Sequence, residues 1–135
     1  MKFDLVTPER RIAAFSAAYI SAPGSEGDFG VMPGHAPFLS SLRPGALVVR
    51  TDSGEQKVFC VSHGFVDVVP EGVTVLAEEA VLKDDIVLEK AQVRVKDAEK
   101  RVDEAERDSA NTVALVLALK ELDKARAQLL VAEMK

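Results

Sequence analysis

The chain has 135 residues, 47% of them hydrophobic, a formal net charge of −5 and a mean hydropathy of +0.06. Those values suit one compact domain plus an appendage, and they leave no basic stripe of the kind that neutralises nucleic-acid phosphates. The longest apolar run, Val113–Leu119, is far shorter than a helical membrane span, and Cys60 is the only cysteine, so no internal disulfide is expected.

Near the start, Asp4 puts a carboxylate where a secretory leader needs apolar residues, so a reducing, cytosol-side compartment is expected. Phe3-Asp4-Leu5-Val6 alternates, and Ile12 to Ile20 is apolar and β-leaning. Ala46-Leu47-Val48-Val49 runs to a turn at Asp52-Ser53-Gly54, and Lys57-Val58-Phe59-Cys60-Val61 returns. Phe65-Val66-Asp67-Val68-Val69 precedes a second turn at Pro70-Glu71-Gly72, and Val73 to Ala77 follows. Short strands at near-regular spacing with Gly or Pro turns predict a β-sandwich from about residue 2 to 82.

The alphabet then changes. All 8 glycines, all 6 prolines, every Phe and Tyr, both histidines and the cysteine lie at or before Gly72. Beyond Asp84 the chain is Ala, Val, Leu and charge, with Asp84 or Asp85 as the N-cap candidate for a first helix. Leu88, Ala91, Val95, Ala98, Val102 and Ala105 recur at alternating spacings of three and four, and so do Leu115, Ala118, Leu122, Ala125, Leu129 and Ala132. Each series is an a/d seam. The turn-like Arg107-Asp108-Ser109-Ala110-Asn111-Thr112 between them predicts an antiparallel helical hairpin. The expected organisation is therefore a β-sandwich over residues 1–84 and a two-helix hairpin over 85–135. Half of the seam is alanine, so its packing is thin. Leu117, Leu119, Leu130 and Val131, off the seam, offer a second contact surface.

The most specific stretch is Gly24 to Leu39, with four glycines and two prolines around Asp28, Phe29, Val31, Met32 and His35. Glycine allows positive φ and close backbone approach, and proline fixes φ, so the segment reads as a shaped surface. As G-[DE]-[FL]-G-x-x-P-G-H-A-P, followed by Leu42-Arg43-Pro44-Gly45, it closely resembles the ε subunit of bacterial and plastid F-type ATP synthases. The resemblance covers the whole chain.

It implies a non-catalytic central-stalk subunit with no cofactor or metal, coupling a proton-driven c-ring and the γ subunit to the catalytic head. It places Asp28, Phe29, Met32 and His35 in a rotor-contact patch facing the polar loops of the c-ring. The hairpin becomes a regulatory arm that, when extended, reaches the α and β subunits, with Lys120, Lys124 and Arg126 meeting acidic loops. The location implied is the cytoplasmic face of the bacterial inner membrane, peripheral and held there only through the complex. The family's ATP motif, [IL]-D-x-x-R-A, is altered at its place in the first helix, where Val87 and Lys90 replace the acid and the arginine. Leu122 to Ala127 matches by letter, but in the second helix.

Other readings stand beside this one. Asp28 also reads as a turn carboxylate, and His35 as an ordinary loop histidine. Cys60 reads as a small buried hydrophobe. A β-sandwich adaptor in another assembly uses the same features. A hydrolase built on His35, Asp28 and Ser40 lacks a nucleophile elbow, and neither a metal spacing nor a phosphate loop is present.

Overall fold

A computed structural model describes residues 1–108 and 110–134. Its contacts divide the chain into two compact units, Met1–Lys83 and Asp84–Lys135. The first is a seven-stranded β-sandwich: β1 (Lys2–Val6), β2 (Arg11–Gly24), β3 (Gly27–Val31), β4 (Phe38–Leu42), β5 (Gly45–Thr51), β6 (Gln56–Val69) and β7 (Gly72–Leu82). Neighbours run β1-β7-β6-β4-β2-β3, with β5 pairing both β2 and β6, and β1 also pairing β2. All pairings are antiparallel except β1 with β7.

Alternation explains the core. On β1, Phe3 and Leu5 point inward and are fully buried, while Lys2 is exposed. They meet Ile20, Leu47, Val49, Val61, Val66 and Val75 in one continuous apolar cluster. Cys60 is also buried.

The turn expected at Asp52-Ser53-Gly54 forms as read: Gly54 takes φ +91° and its N–H donates to the Thr51 carbonyl at 3.0 Å. Two expectations need correction. Lys57–Val61 and Phe65–Val69 are one strand, β6, carried through a corner at His63 (φ +43°) and Gly64 (φ +140°). Nor is any strand expected within Gly24–Leu39, which reads from sequence only as a shaped surface. It contains β3 and opens into β4, because glycines at 27 and 30 hide a strand from any propensity argument. At Gly30 a Cβ would sit 2.3 Å from the Tyr19 hydroxyl, so a larger residue there would require the Tyr19 side chain to move.

The corner crosses several strands. β4 and β5 lie on β6 in a single register, Leu42 opposite Gly64 and Gly45 opposite Val61. They are two halves of one line of pairing, broken at Arg43-Pro44. Proline has no N–H to give a ladder. On the other side, β6 and β7 come so close that a Cβ on Gly64 would lie 1.8 Å from the Leu76 carbonyl oxygen.

The second unit holds a 3-10 turn (Lys83–Asp85), α1 (Leu88–Arg107) and α2 (Thr112–Glu133). The N-cap expectation fails: Asp84 and Asp85 belong to the 3-10 turn, and Val87 occupies the cap of α1 without a side-chain hydrogen bond. Asn111 caps α2 by accepting from Ala114 N–H at 3.0 Å. Ser109, in the expected connecting turn, lies outside the described residues. The predicted seam forms from Ala98, Val102, Ala118, Leu122 and Ala125, flanked by Val95, Ala105 and Leu115. Leu88, at its open end, is exposed. Of the off-seam residues, Leu117, Leu119 and Leu130 are exposed and Val131 is buried.

The corner makes a clear prediction. Gly64→Ala combines positive φ with a backbone clash and should destabilise the sandwich by about 2–4 kcal/mol in urea unfolding. Gly34→Ala has φ +87° but open space around its Cβ, and should cost only about 1–2 kcal/mol. Equal losses would show that sterics at the corner are not limiting.

Candidate functional site

The four expected rotor-contact residues fall on β3 and the turn after it. Asp28 and Phe29 lie on β3, and Met32 and His35 follow it. The His35 N–H donates to the Met32 carbonyl at 3.2 Å, which closes the turn. His35 Nδ1 donates to the Ala36 carbonyl at 2.9 Å, so the ring is fixed by its own backbone. Its ring lies 5.3 Å from Phe38, and Phe38 meets Phe29 edge-on at 5.1 Å. An aromatic run thus ties β3 to β4. Met32 is exposed and, with His35, borders a shallow cleft beside Val69 and Pro70. Ser40 is not near-paired for catalysis: its hydroxyl donates to the Ser41 carbonyl at 3.1 Å.

Asp28 is paired with a residue that the sequence reading noticed only as part of a landmark. Arg43 donates one guanidinium nitrogen to Asp28 Oδ1 and another to the Gly24 carbonyl. Its own N–H donates to the Pro23 carbonyl at 3.0 Å, and Ser25 N–H donates to Ser41 at 2.9 Å. The Ser25 and Ser41 hydroxyls meet at 2.5 Å. Gly24 pairs directly with Leu42, and a Cβ on Gly24 would strike the Gly27 carbonyl oxygen at 2.7 Å and the Phe29 ring at 2.9 Å. The two sequence landmarks, which sit on different strands, therefore meet in one place through Arg43. Both glycine identity and arginine identity are needed to build it.

A second surface was missed. Phe65 and Leu76 stand opposite each other on the outer face of β6 and β7 and are 51% and 48% exposed, with Leu39 also exposed on β4. Val6, opposite Leu76 on β1, extends the row. The signal was present in the alternation, since Phe65 and Leu76 occupy outward positions where polar residues are usual.

On the hairpin, the three expected cations do not share one free face. Lys124 is only 17% exposed, with its Nζ 3.6 Å from Glu121 Oε2. Arg126 is exposed and Lys120 half-buried. The residue that sequence reading overlooked is Arg94. Its Nε donates to Glu121 Oε1 at 2.9 Å and another guanidinium nitrogen to Gln128 Oε1 at 3.0 Å. One α1 side chain thus spans two turns of α2, in antiparallel sense. In the string Leu122–Ala127, Leu122 and Ala125 are spent in the seam, while Asp123 and Arg126 face outward. Among the described residues no helix is long and apolar enough to cross a membrane, and no cluster of His, Cys, Asp and Glu is placed to hold a metal.

A sandwich of this topology followed by a helical hairpin defines a recognisable class. Residues 1–83 match the family described as "ATP synthase, Delta/Epsilon chain, beta-sandwich domain". The chain is 47% identical over 114 residues to the ATP synthase epsilon chain of Maricaulis maris (strain MCS10), covering 82% of this chain and 85% of that one. It is 41% identical over 103 residues to the ATP synthase epsilon chain of Desulfosudis oleivorans (strain DSM 6200 / JCM 39069 / Hxd3), covering 76% and 77%. Among solved structures, a chain of the Euglena gracilis mitochondrial ATP synthase (OSCP/F1/c-ring, rotational state 1) shares the fold with TM-score 0.74 at 24% identity, covering 93% of this chain and 76% of that one. The chain belongs to the ATP synthase delta/epsilon chain family.

Partial burial pushes the Glu121 carboxyl up, but the Arg94 hydrogen bond and charge, with Lys124 close by, outweigh it and hold its pKa below the ordinary glutamate value. A depressed folded pKa contributes stability that is complete above the unfolded value of about 4.3 and is lost as pH falls through the folded one. Protection of α2 amides, taken relative to the intrinsic exchange rate at each pH, should therefore fall below about pH 4. Glu121→Gln should lose about 1 kcal/mol of protection at pH 7 and show a flatter acid response. A variant with the wild-type acid response would mean that Glu121 does not bear on hairpin stability.

Proposed function

We propose that this chain is a central-stalk subunit of a proton-translocating F-type ATP synthase and carries no chemistry of its own. The observation that carries the reading is identity of 47% with an epsilon chain over most of both lengths. The sandwich would sit on the γ subunit and the c-ring, coupling their rotation to the catalytic head from the cytoplasmic face of the membrane.

The two sandwich surfaces suit two partners of different character. Leu39, Phe65 and Leu76 expose large apolar side chains on one face, with Asp67 and Ser41 among them, as a lasting protein contact requires, and we assign that face to γ. Asp28, Met32 and His35 are exposed, with a carboxylate 68% exposed, while Phe29 is half-buried against the core beneath them; this mixed surface suits the polar loops of the c-ring. The hairpin is the regulatory arm. Its alanine-rich seam and its polar tie through Arg94 make closure modest in strength, so an extended state that reaches the α and β subunits is within range of ordinary binding energies. In that state Lys120, Lys124 and Arg126 would face acidic β-subunit loops, and Lys124 would first have to leave Glu121.

The assignments separate in experiment. Leu76→Asp should weaken co-elution with γ at least about tenfold without unfolding the exposed site; unchanged co-elution removes γ from that face. A chain ending at Lys83, reconstituted into the enzyme, should keep proton-driven synthesis and hydrolyse ATP faster than the full chain. Equal hydrolysis rates would remove the regulatory arm and leave the coupling role standing.

A further inference from the structure

We propose that Arg43 is the positioning residue of the Asp28 patch: it locks the β2–β3 hairpin to the β4–β5 corner, so that the two landmarks act as one binding element. The inference rests on the reading that Asp28 meets a rotor partner. It adds which residue sets the orientation of that carboxylate, and what the partner must supply.

The geometry has a direction. Arg43 stands where the β4–β5 line is broken, so its backbone N–H is free to take the Pro23 carbonyl instead of a ladder partner. Its guanidinium then reaches across to the Gly24 carbonyl and to Asp28 Oδ1. A planar fork satisfies two acceptors at a fixed angle, and a lysine ammonium on a flexible stem does not. The backbone below is already constrained by the missing Cβ at Gly24 and by Gly45, where a Cβ would lie 2.8 Å from Pro23. What remains free is the Asp28 side chain, and Arg43 removes that freedom. An exposed ion pair does little for folding, so the convergence of three Arg43 contacts at this corner is better explained by presentation than by stability.

The chemistry of the partner follows. A carboxylate has about four acceptor positions on two oxygens, and Arg43 takes up Oδ1. That leaves Oδ2, with about two acceptor positions, for incoming donors. The arginine beside it repels a densely basic surface. The fit is a polar loop that offers one or two cation or amide donors to Oδ2.

A double-mutant cycle tests this with the full chain binding to a purified γ–c-ring subcomplex. Asp28→Asn should weaken binding about tenfold, Arg43→Ala about as much, and the double variant no further, because both remove the same oriented carboxylate. Arg43→Lys should behave like Arg43→Ala. Thermal midpoints of all variants should stay near that of the parent, which separates presentation from folding. Losses that multiply to about a hundredfold would mean that Arg43 meets the partner itself and would overturn the proposal, as would full rescue by Arg43→Lys or a large fall in the thermal midpoint of Arg43→Ala. A loss with Asp28→Asn but none with Arg43→Ala would overturn positioning alone. No loss with either would overturn the Asp28 contact and the proposal together.

Discussion

The close approach of β6 to β7 at Gly64 is the constraint on which the sandwich depends. Any side chain there would run into the Leu76 carbonyl, so the two strands can turn together only because residue 64 has none. The turn lets one long strand, β6, pair with β5 in its first half and β4 in its second. The line of pairing opposite must break where β6 bends, and it breaks at Arg43-Pro44. The break frees Arg43 for Pro23, Gly24 and Asp28. A glycine in the middle of one strand thus decides where a charged patch forms on another.

Much of this was legible in the sequence, for reasons that differ by element. β1 and the seam of the hairpin were read correctly because burial there is periodic: Phe3 and Leu5 alternate, and Ala98, Val102, Ala118, Leu122 and Ala125 follow the three-four spacing. The turn at Gly54 announced itself through its residues. β3 did not, because Gly30 answers to the Tyr19 hydroxyl, which only the fold brings near, and Gly27 to a positive φ of +138°. The joining of β6 through His63 and Gly64 was hidden in the same way. The start of α1 was misplaced because an acidic residue before a helix marks a cap only if the chain turns helical at once, and here a 3-10 turn intervenes.

The candidate patch was legible by residue type and not by partnership. Asp28, Phe29 and His35 were identified, and the structure links the two rings through Phe38. Their dependence on Arg43 was invisible, since no periodicity relates positions on different strands. The same holds for Arg94, whose bonds to Glu121 and Gln128 cross between helices. In each unit a forked arginine supplies the orientation that small residues cannot. The sandwich uses glycine and the hairpin uses alanine, and both give up side-chain contact to let backbones approach.

The position of β1 has a consequence for how the protein is made. β1 lies between β2 and β7, with Phe3 opposite both Phe15 and Val73. Its pairing with β2 is local and can form early, but its parallel pairing waits for a segment near the far end of the sandwich. Until that segment leaves the ribosome, one side of β1 presents unpaired N–H and C=O groups, and Phe3 and Leu5 lack half of their cover. Closure of the sheet is thus a late, long-range event in synthesis, and loop-closure entropy makes such events slow. The nascent chain carries an open strand edge through most of its translation, and shielding by the ribosome surface or a chaperone matters most in that interval.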